Sequence, residues 1–482
     1  MSDTTKTDPS LFILPAEDMR ALGYRAIDML VEHVTGLADR PVVSHRGAPP
    51  DAGAIGQPPP GAGRDAMAVL EEAGWDILGH ISHIDHPRFF AYVPGANNYM
   101  SALGALLAAG FNVFAGVEPG NEGPTRVERI AIDWLRQMVG LPPGAGGLFT
   151  SGGSMANLTG LAVARHRRLG DRLERAVIYC SDQIHSSVER GARTLGFAPE
   201  QICKIAADAA CRLTPAALAD QIAQDRAAGR IPFALAASAG TTSTGTADPL
   251  DALADLCARE GLWLHVDAAF GGPGVLSRQG KKLLAGLERA DSLSLDPHKW
   301  LFQSIDCGCV LVRQEAWLAE TFRIVPDYMK DSHHDAATNY RDWSVETTRG
   351  FRALKLWLSV QTFGMDAFRA AVQRGVDLAE QAEQMLRADP DWRVMLPASL
   401  GVITFRYHRD GLSEKTLDAV TQTAITRLVD SGYAFVSSTM VGGRKVMRLC
   451  TINPRTTEAD VAQTLARLKD HAREAAEGLT AD

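Results

Sequence analysis

The stretch IPFALAASAGTTSTGTADPLDALADLCAREGLWLHVDAAF (231–270) reads as strand, helix, strand. An apolar run ends in small and hydroxyl residues; DPLDALADLCAREG then carries apolar residues at helical spacing and stops at a glycine; LWLHV is apolar again and runs directly into Asp267. Short apolar runs separated by an amphipathic helix mark strands covered on both faces and joined by a crossover, the pattern of a mainly parallel sheet. The alternation extends upstream: TRVERIAIDWLRQMVG (125–140) is helical, LFTSGGS (148–154) is strand then turn, MANLTGLAVARHRRLG (155–170) is helical and RAVIYCS (175–181) is a strand. Downstream, FRALKLWLSVQTFG begins a helical stretch near residue 350, and GVITFRYH and KVMRLCTIN alternate with helix. The expected fold class is α/β with a small α+β C-terminal part, and no internal repeat is visible.

The 482 residues suffice for two or three structural units. Residues 16–39 place Met19, Leu22, Ile27, Leu30, Val34 and Leu37 on one helical face, and the Pro/Gly-rich 46–63 follows as a surface connection, so the chain starts as an arm. A net charge of -8 argues against nucleic acid or an anionic membrane as partner. Residues 89–117 lack charged side chains, but Pro94, Gly95, Asn97, Asn98 and Asn112 would go unsatisfied in lipid, so a buried or interface segment is expected rather than a span. Seven scattered cysteines without metal-site spacing and a polar start fit a reduced, cytoplasmic setting, and no metal is expected.

In an open α/β sheet ligands sit at the carboxyl ends of the strands. Four such points carry chemistry: SGGS (151–154), DQIH (182–185), HVDAA (265–269) and DPHKW (296–300). SGGS is either a plain turn or a backbone cradle for phosphate at a helix start. Asp267 is either a structural hydrogen-bonding carboxylate or the partner of a protonated ligand nitrogen, because a buried carboxylate is costly alone. His185 is either a helix cap or a flat ring stacked on an aromatic ligand. Lys299 is the one of ten lysines set between apolar runs beside these points, and a buried lysine is a usable amine nucleophile toward carbonyls. A phosphate, an aldehyde, a pyridinium and a ring face together describe pyridoxal 5'-phosphate.

With HPRFFAYVPGANNY (86–99), SGGSMANLTGL (151–161), SDQIHSSVERG (181–191), LWLHVDAAFGG (262–272), ADSLSLDPHKWL (290–301) and NYRDWSVETTRGFRALKLW (339–357), the sequence resembles the pyridoxal-phosphate-dependent group II decarboxylases, especially the aromatic-L-amino-acid decarboxylases. The resemblance covers nearly the whole chain. It implies a fold-type-I homodimer with a mainly parallel seven-stranded sheet: an N-terminal helical arm that wraps the partner (1–98), a large cofactor domain (99–356) and a small C-terminal domain (357–482). It implies that Lys299 binds the cofactor aldehyde, Asp267 the pyridine nitrogen and His185 the ring face. Gly153, Ser154 and Ser292 would hold the phosphate, with Thr242, Ala269 and His298 completing the shell. Tyr328, on a closing loop, would protonate the substrate Cα, aided by His185. Tyr92, Pro94, Phe114, Gly116 and Thr348 would bound the substrate pocket, Gly116 enlarging one side and Thr348 narrowing another.

Asp296 stands where the family often has Asn, and a carboxylate near a phosphate would repel it, so its side chain is expected to turn away or cap the backbone. Two rivals use the same residues. An aromatic aldehyde synthase shares the scaffold but replaces the loop tyrosine or the ring histidine, both present here. A serine hydrolase would use Ser154, Asp267 and His298, leaving Lys299 without a task.

Overall fold

The computed structural model describes residues 12–44, 58–324 and 338–480. Seven strands form the main sheet: β1 (Gly146–Thr150), β2 (Ala176–Ser181), β3 (Ile202–Ile205), β4 (Ile231–Ser238), β5 (Trp263–Asp267), β6 (Ser292–Leu295) and β7 (Gly308–Val312). Their spatial order is β1-β7-β6-β5-β4-β2-β3, and β7 alone runs antiparallel to its neighbours. Every residue of β1, β2, β5, β6 and β7 is buried, because helices cover both faces. Two apolar clusters fill the two sides, one built around Leu235, Leu264 and Trp300, the other around Leu161, Ile178 and Trp263.

The second sheet is antiparallel: β8 (Trp392–Ser399), β9 (Val402–Tyr407), β10 (Ser437–Val441) and β11 (Arg444–Cys450), in the order β10-β11-β9-β8. It packs beneath the helices Glu414–Asp430 and Glu458–Thr480 over its own core. The helix Ala353–Ala388 serves both cores, giving Phe368, Val372 and Val376 to the first and Ala382 and Leu386 to the second. It is interrupted at Gly364, whose φ of 71° is open to glycine at little cost. The expected 356/357 boundary thus falls inside a helix rather than in a linker.

The arm helix, Ala16–Gly36, buries none of its residues within this chain. It leaves Met19, Tyr24, Leu30 and Val31 exposed beside an apolar groove of about 450 Å³ lined by Met29, Leu70, Trp75 and Ile81. The uncharged segment divides in two: Phe89, Phe90 and Ala91 are buried, whereas the helix Tyr99–Gly110, capped by the Asn98 side chain, buries only Ser101 and Gly104. Among the described residues, no helix is long and apolar enough to cross a membrane.

Candidate active site

The chain turns that follow β1, β2, β4, β5 and β6 converge on one cavity of about 320 Å³, within the usual range of small-molecule sites. Its walls carry Gly153, Ser154, His185, Thr242, Asp267, Ala269, His298 and Lys299 among the expected residues, with Ser151, Met155 and Phe270 in addition. Two glycines open the turn after β1. A Cβ on Gly153 would lie 2.8 Å from Asp296 Oδ2 and 2.9 Å from the Ala269 methyl, and one on Gly308 would run into the Gly152 backbone. Only glycines let these backbones close up, and the helix Gly153–Leu169 starts from this turn with its free N–H groups toward the cavity.

Asp267 ends β5 and is engaged only by donors. Asn157 Nδ2 donates to Oδ2 at 3.0 Å; Ser294 Oγ and the Ala269 N–H donate to Oδ1 at 3.1 and 3.2 Å. The carboxylate therefore faces the cavity as an acceptor. His185 caps the helix Ser186–Thr194: its Nδ1 accepts from the Ser187 N–H at 3.3 Å and meets Ser187 Oγ at 2.7 Å. Since a backbone N–H can only donate, the neutral ring carries its proton on Nε2. His185 is thus a helix cap that also lines the cavity. His298 is fixed likewise, its Nδ1 accepting from the Cys307 N–H at 3.0 Å, and burial, with help from Lys299 and Lys355, holds it below the usual histidine range.

Two expectations are corrected. Ser292 does not reach the phosphate cradle: it opens β6, at the far end from the cavity, and its buried hydroxyl is taken by Trp263 Nε1 and His265 Nδ1, both at 2.8 Å. Asp296 neither turns away nor caps the backbone. Its Oδ2 lies 2.7 Å from Lys299 Nζ and 3.6 Å from His298 Nε2, while its buried Oδ1 has no partner. The lysine ammonium supplies the compensation a buried carboxylate requires. Of the residues expected to bound the substrate pocket, Tyr92, Phe114 and Thr348 are exposed, Pro94 and Gly116 are buried, and none lines the cavity of the single chain.

Asn157 and Ser294 were not singled out in the sequence, although the pattern contains them. Asn157 lies one helical turn beyond Ser154, and Ser294 shares the period-two face of SLSLD that ends at Asp296. Tyr328 lies outside the described residues. The hydrolase arrangement is not assembled: Asp267 bonds Asn157, Ser294 and Ala269, and His298 Nδ1 is occupied by Cys307. His33, His83 and Asp85 come close enough to share an ion, but Asp85 already pairs with His33 at 3.1 Å and Arg455 at 3.9 Å.

The model of the pyridoxal-dependent decarboxylase conserved domain matches residues 60–408. The chain belongs to the pyridoxal-dependent decarboxylases. This decarboxylase is 44% identical, over 96% of its own length and 97% of the relative's, to an aromatic-L-amino-acid decarboxylase of Bacillus atrophaeus. A phenylacetaldehyde synthase of Arabidopsis thaliana is 28% identical over 95% of this chain and 96% of its own. The crystal structure of Oryza sativa TDC with PLP and tryptamine superposes with a TM-score of 0.90 at 30% identity, covering 96% of this chain and 99% of that one. The decarboxylase is a carbon–carbon lyase of fold type I whose cofactor is pyridoxal 5'-phosphate. The cavity fits that group: a glycine turn at a helix start for the phosphate, an amine for the aldehyde and an acceptor carboxylate for the ring nitrogen.

One residue behind the site gives the decarboxylase a measurable pH dependence. Burial pushes His265 from its ordinary 6.5 down to about 4, with Asp267 pulling the other way. An unfolded chain therefore takes up a proton below pH 6.5 that the folded chain refuses until about 4. This contribution to stability is complete above pH 6.5 and is lost as pH falls toward 4, with a slope of up to about 1.4 kcal/mol per pH unit. Urea midpoints between pH 4.5 and 7.5 should fall less steeply for His265→Gln than for the unaltered enzyme. His86, also lowered to about 4 by burial, keeps part of the slope in both. Equal slopes would show that His265 is not neutral in the folded state.

Proposed function

We propose that the decarboxylase converts an aromatic L-amino acid to its amine and carbon dioxide as a homodimer. The observation that carries the reading is the meeting of Lys299, Asp267 and His185 around one cavity, in a chain 44% identical to an aromatic-L-amino-acid decarboxylase. When bound, the cofactor supplies an aldehyde and an electron-accepting ring that takes up the pair left by carbon dioxide. The chain's own residues do the rest. Lys299 Nζ would hold the aldehyde, and Asp296, 2.7 Å away, would pair with the lysine whenever it is free and protonated. Asp267 would accept from the ring N–H, the SGGS turn would hold the phosphate, and His185 would lie against the ring face. Tyr328 delivers the proton to Cα, a role that rests on the family resemblance.

The same reading divides the chain into an arm (1–98), a cofactor domain (99–356) and a C-terminal domain (357–482). In it, two chains meet through the arm and the helix Tyr99–Gly110. Support comes from the exposed Met19, Leu30, Leu106, Leu107, Phe111 and Phe114, an apolar surface larger than isolated residues explain. Phe114 and its neighbours then bound the substrate pocket from the subunit boundary. Seven free cysteines, of which Cys180, Cys257 and Cys307 are pushed up to about 12 by burial, suit a reduced cytoplasmic setting.

The test is amine, aldehyde and hydrogen peroxide measured together over tryptophan, tyrosine, phenylalanine, DOPA, histidine and glutamate. Amine from an aromatic substrate without peroxide is expected. Peroxide in step with aldehyde would turn the assignment to aldehyde synthase, and turnover confined to glutamate or histidine would remove the aromatic class. Tyr328→Phe should cut amine formation by roughly 10²–10⁴-fold, the usual weight of a general acid, and let peroxide appear.

A further inference from the structure

Behind Asp267 lies a file of buried polar side chains that the reaction itself does not touch. Helix Gly153–Leu169 contributes Asn157, β5 contributes Trp263 and His265, and β6 contributes Ser292; all four are 2% exposed or less. Strand register builds the file. His265 stands two residues before Asp267 on the same face of β5, and β6 sets Ser292 opposite His265 and Ser294 opposite Asp267. Gly160, one turn beyond Asn157, leaves room for the imidazole: a Cβ there would lie 2.7 Å from His265 Cε1 and Nδ1.

Donor and acceptor roles follow from one end. Trp263 Nε1 can only donate, so Ser292 Oγ accepts it at 2.8 Å. The Ser292 hydroxyl hydrogen is then free for His265 Nδ1 at 2.8 Å, which leaves the ring proton on Nε2, donated to Asn157 Oδ1 at 2.9 Å. The Asn157 amide spends its two hydrogens on Asp267 Oδ2 at 3.0 Å and Ser187 Oγ at 2.9 Å. Flipping that amide would set its oxygen against the Asp267 carboxylate and its NH₂ against an N–H, so the orientation is forced. Ser187, having accepted from Asn157, donates to His185 Nδ1 at 2.7 Å. The file therefore forks at Asn157: one branch ends on the carboxylate at the ring edge, the other on the imidazole at the ring face.

We propose that Asn157 is the positioning residue of this site, a hub that the Trp263–Ser292–His265 file orients and that holds both the Asp267 carboxylate toward the ring nitrogen and, through Ser187, the His185 imidazole against the ring face. The inference rests on the reading that Asp267 meets the ring nitrogen, and it assigns Ser292 to the file instead of to the phosphate. Of the two branches, the one through Asp267 needs a ring that carries a nitrogen. A cofactor analogue with carbon in that place has nothing for Asp267 to accept from.

The experiment compares pyridoxal 5'-phosphate with its 1-deaza analogue, each titrated into full-length apoprotein by fluorescence quenching. The unaltered protein should bind the natural cofactor more tightly than the analogue. Asn157→Ala should weaken the natural cofactor by about ten- to a hundredfold, the weight of one hydrogen bond to a charged group, and weaken the analogue by a clearly smaller factor, since only the His185 branch acts on it. Ser292→Ala disturbs the file two links from Asn157 and Gly160→Ala crowds His265, one link away; both should shift the natural cofactor in the same direction by a smaller factor, which keeps the test open if Asn157→Ala does not fold. Equal weakening for both cofactors in every variant would overturn the proposal and leave the file a packing feature. An unaltered protein that binds both cofactors equally would instead remove the role of Asp267, and one that binds neither would remove the cofactor reading itself.

Discussion

Lys299→Ala is expected to lose the covalent link to the cofactor aldehyde and with it more than the roughly 10²–10⁴-fold that a general acid or base contributes. Borohydride reduction followed by peptide mass spectrometry should find the cofactor mass on Lys299 in the unaltered enzyme and on no peptide of the variant. No other lysine of the described residues can stand in. Lys355, which is buried where Lys299 is half-buried, donates to the Ser304 and Asp306 carbonyls and lies outside the cavity wall. Lys299 is held ready by Asp296, 2.7 Å from its Nζ. A reduced adduct elsewhere in the variant, or turnover within tenfold of the original, would remove Lys299 from the chemistry.

The sequence made the site legible where strand ends coincide with motif residues. Asp267 after LWLHV and Lys299 after SLSLDPH could be assigned because a parallel sheet delivers its carboxyl ends to one edge, and that edge is where both lie. Ser292 carries a phosphate role only by family resemblance; it opens β6, the end of the strand away from the cavity, and its hydroxyl is spent on Trp263 and His265. Asp296 was misread because its compensating charge is three residues away across a turn, a distance that becomes 2.7 Å only when the backbone folds. The file behind Asp267 joins three separate elements, so no local pattern announces it.

The same limit hides the pair with the largest expected effect on stability. Glu128, on the helix Glu122–Met138, and Arg349, in the segment leading into Ala353–Ala388, meet at 2.6 Å with both side chains fully buried. Arg349 also donates to the Ala115 and Phe149 carbonyls at 2.9 and 2.7 Å and lies over the Tyr340 ring, while Glu128 accepts from the Phe149 N–H. These bonds tie three remote segments to β1, the strand that delivers the SGGS turn. Arg349→Ala would leave the Glu128 carboxylate buried without its cation, at a cost of about 3–5 kcal/mol. Replacing both partners, Glu128→Leu with Arg349→Met, removes the stranded charge and should cost less than the single change, since an apolar pair of similar volume is often neutral. Urea unfolding of the three proteins measures the difference. Because Phe149 is two residues from Ser151, Arg349→Ala should also loosen cofactor binding in the fraction that remains folded. A single variant within 1 kcal/mol of the original, or a double variant worse than the single, would show that the pair is a bystander to the fold rather than the clamp that sets β1 and the cofactor turn in place.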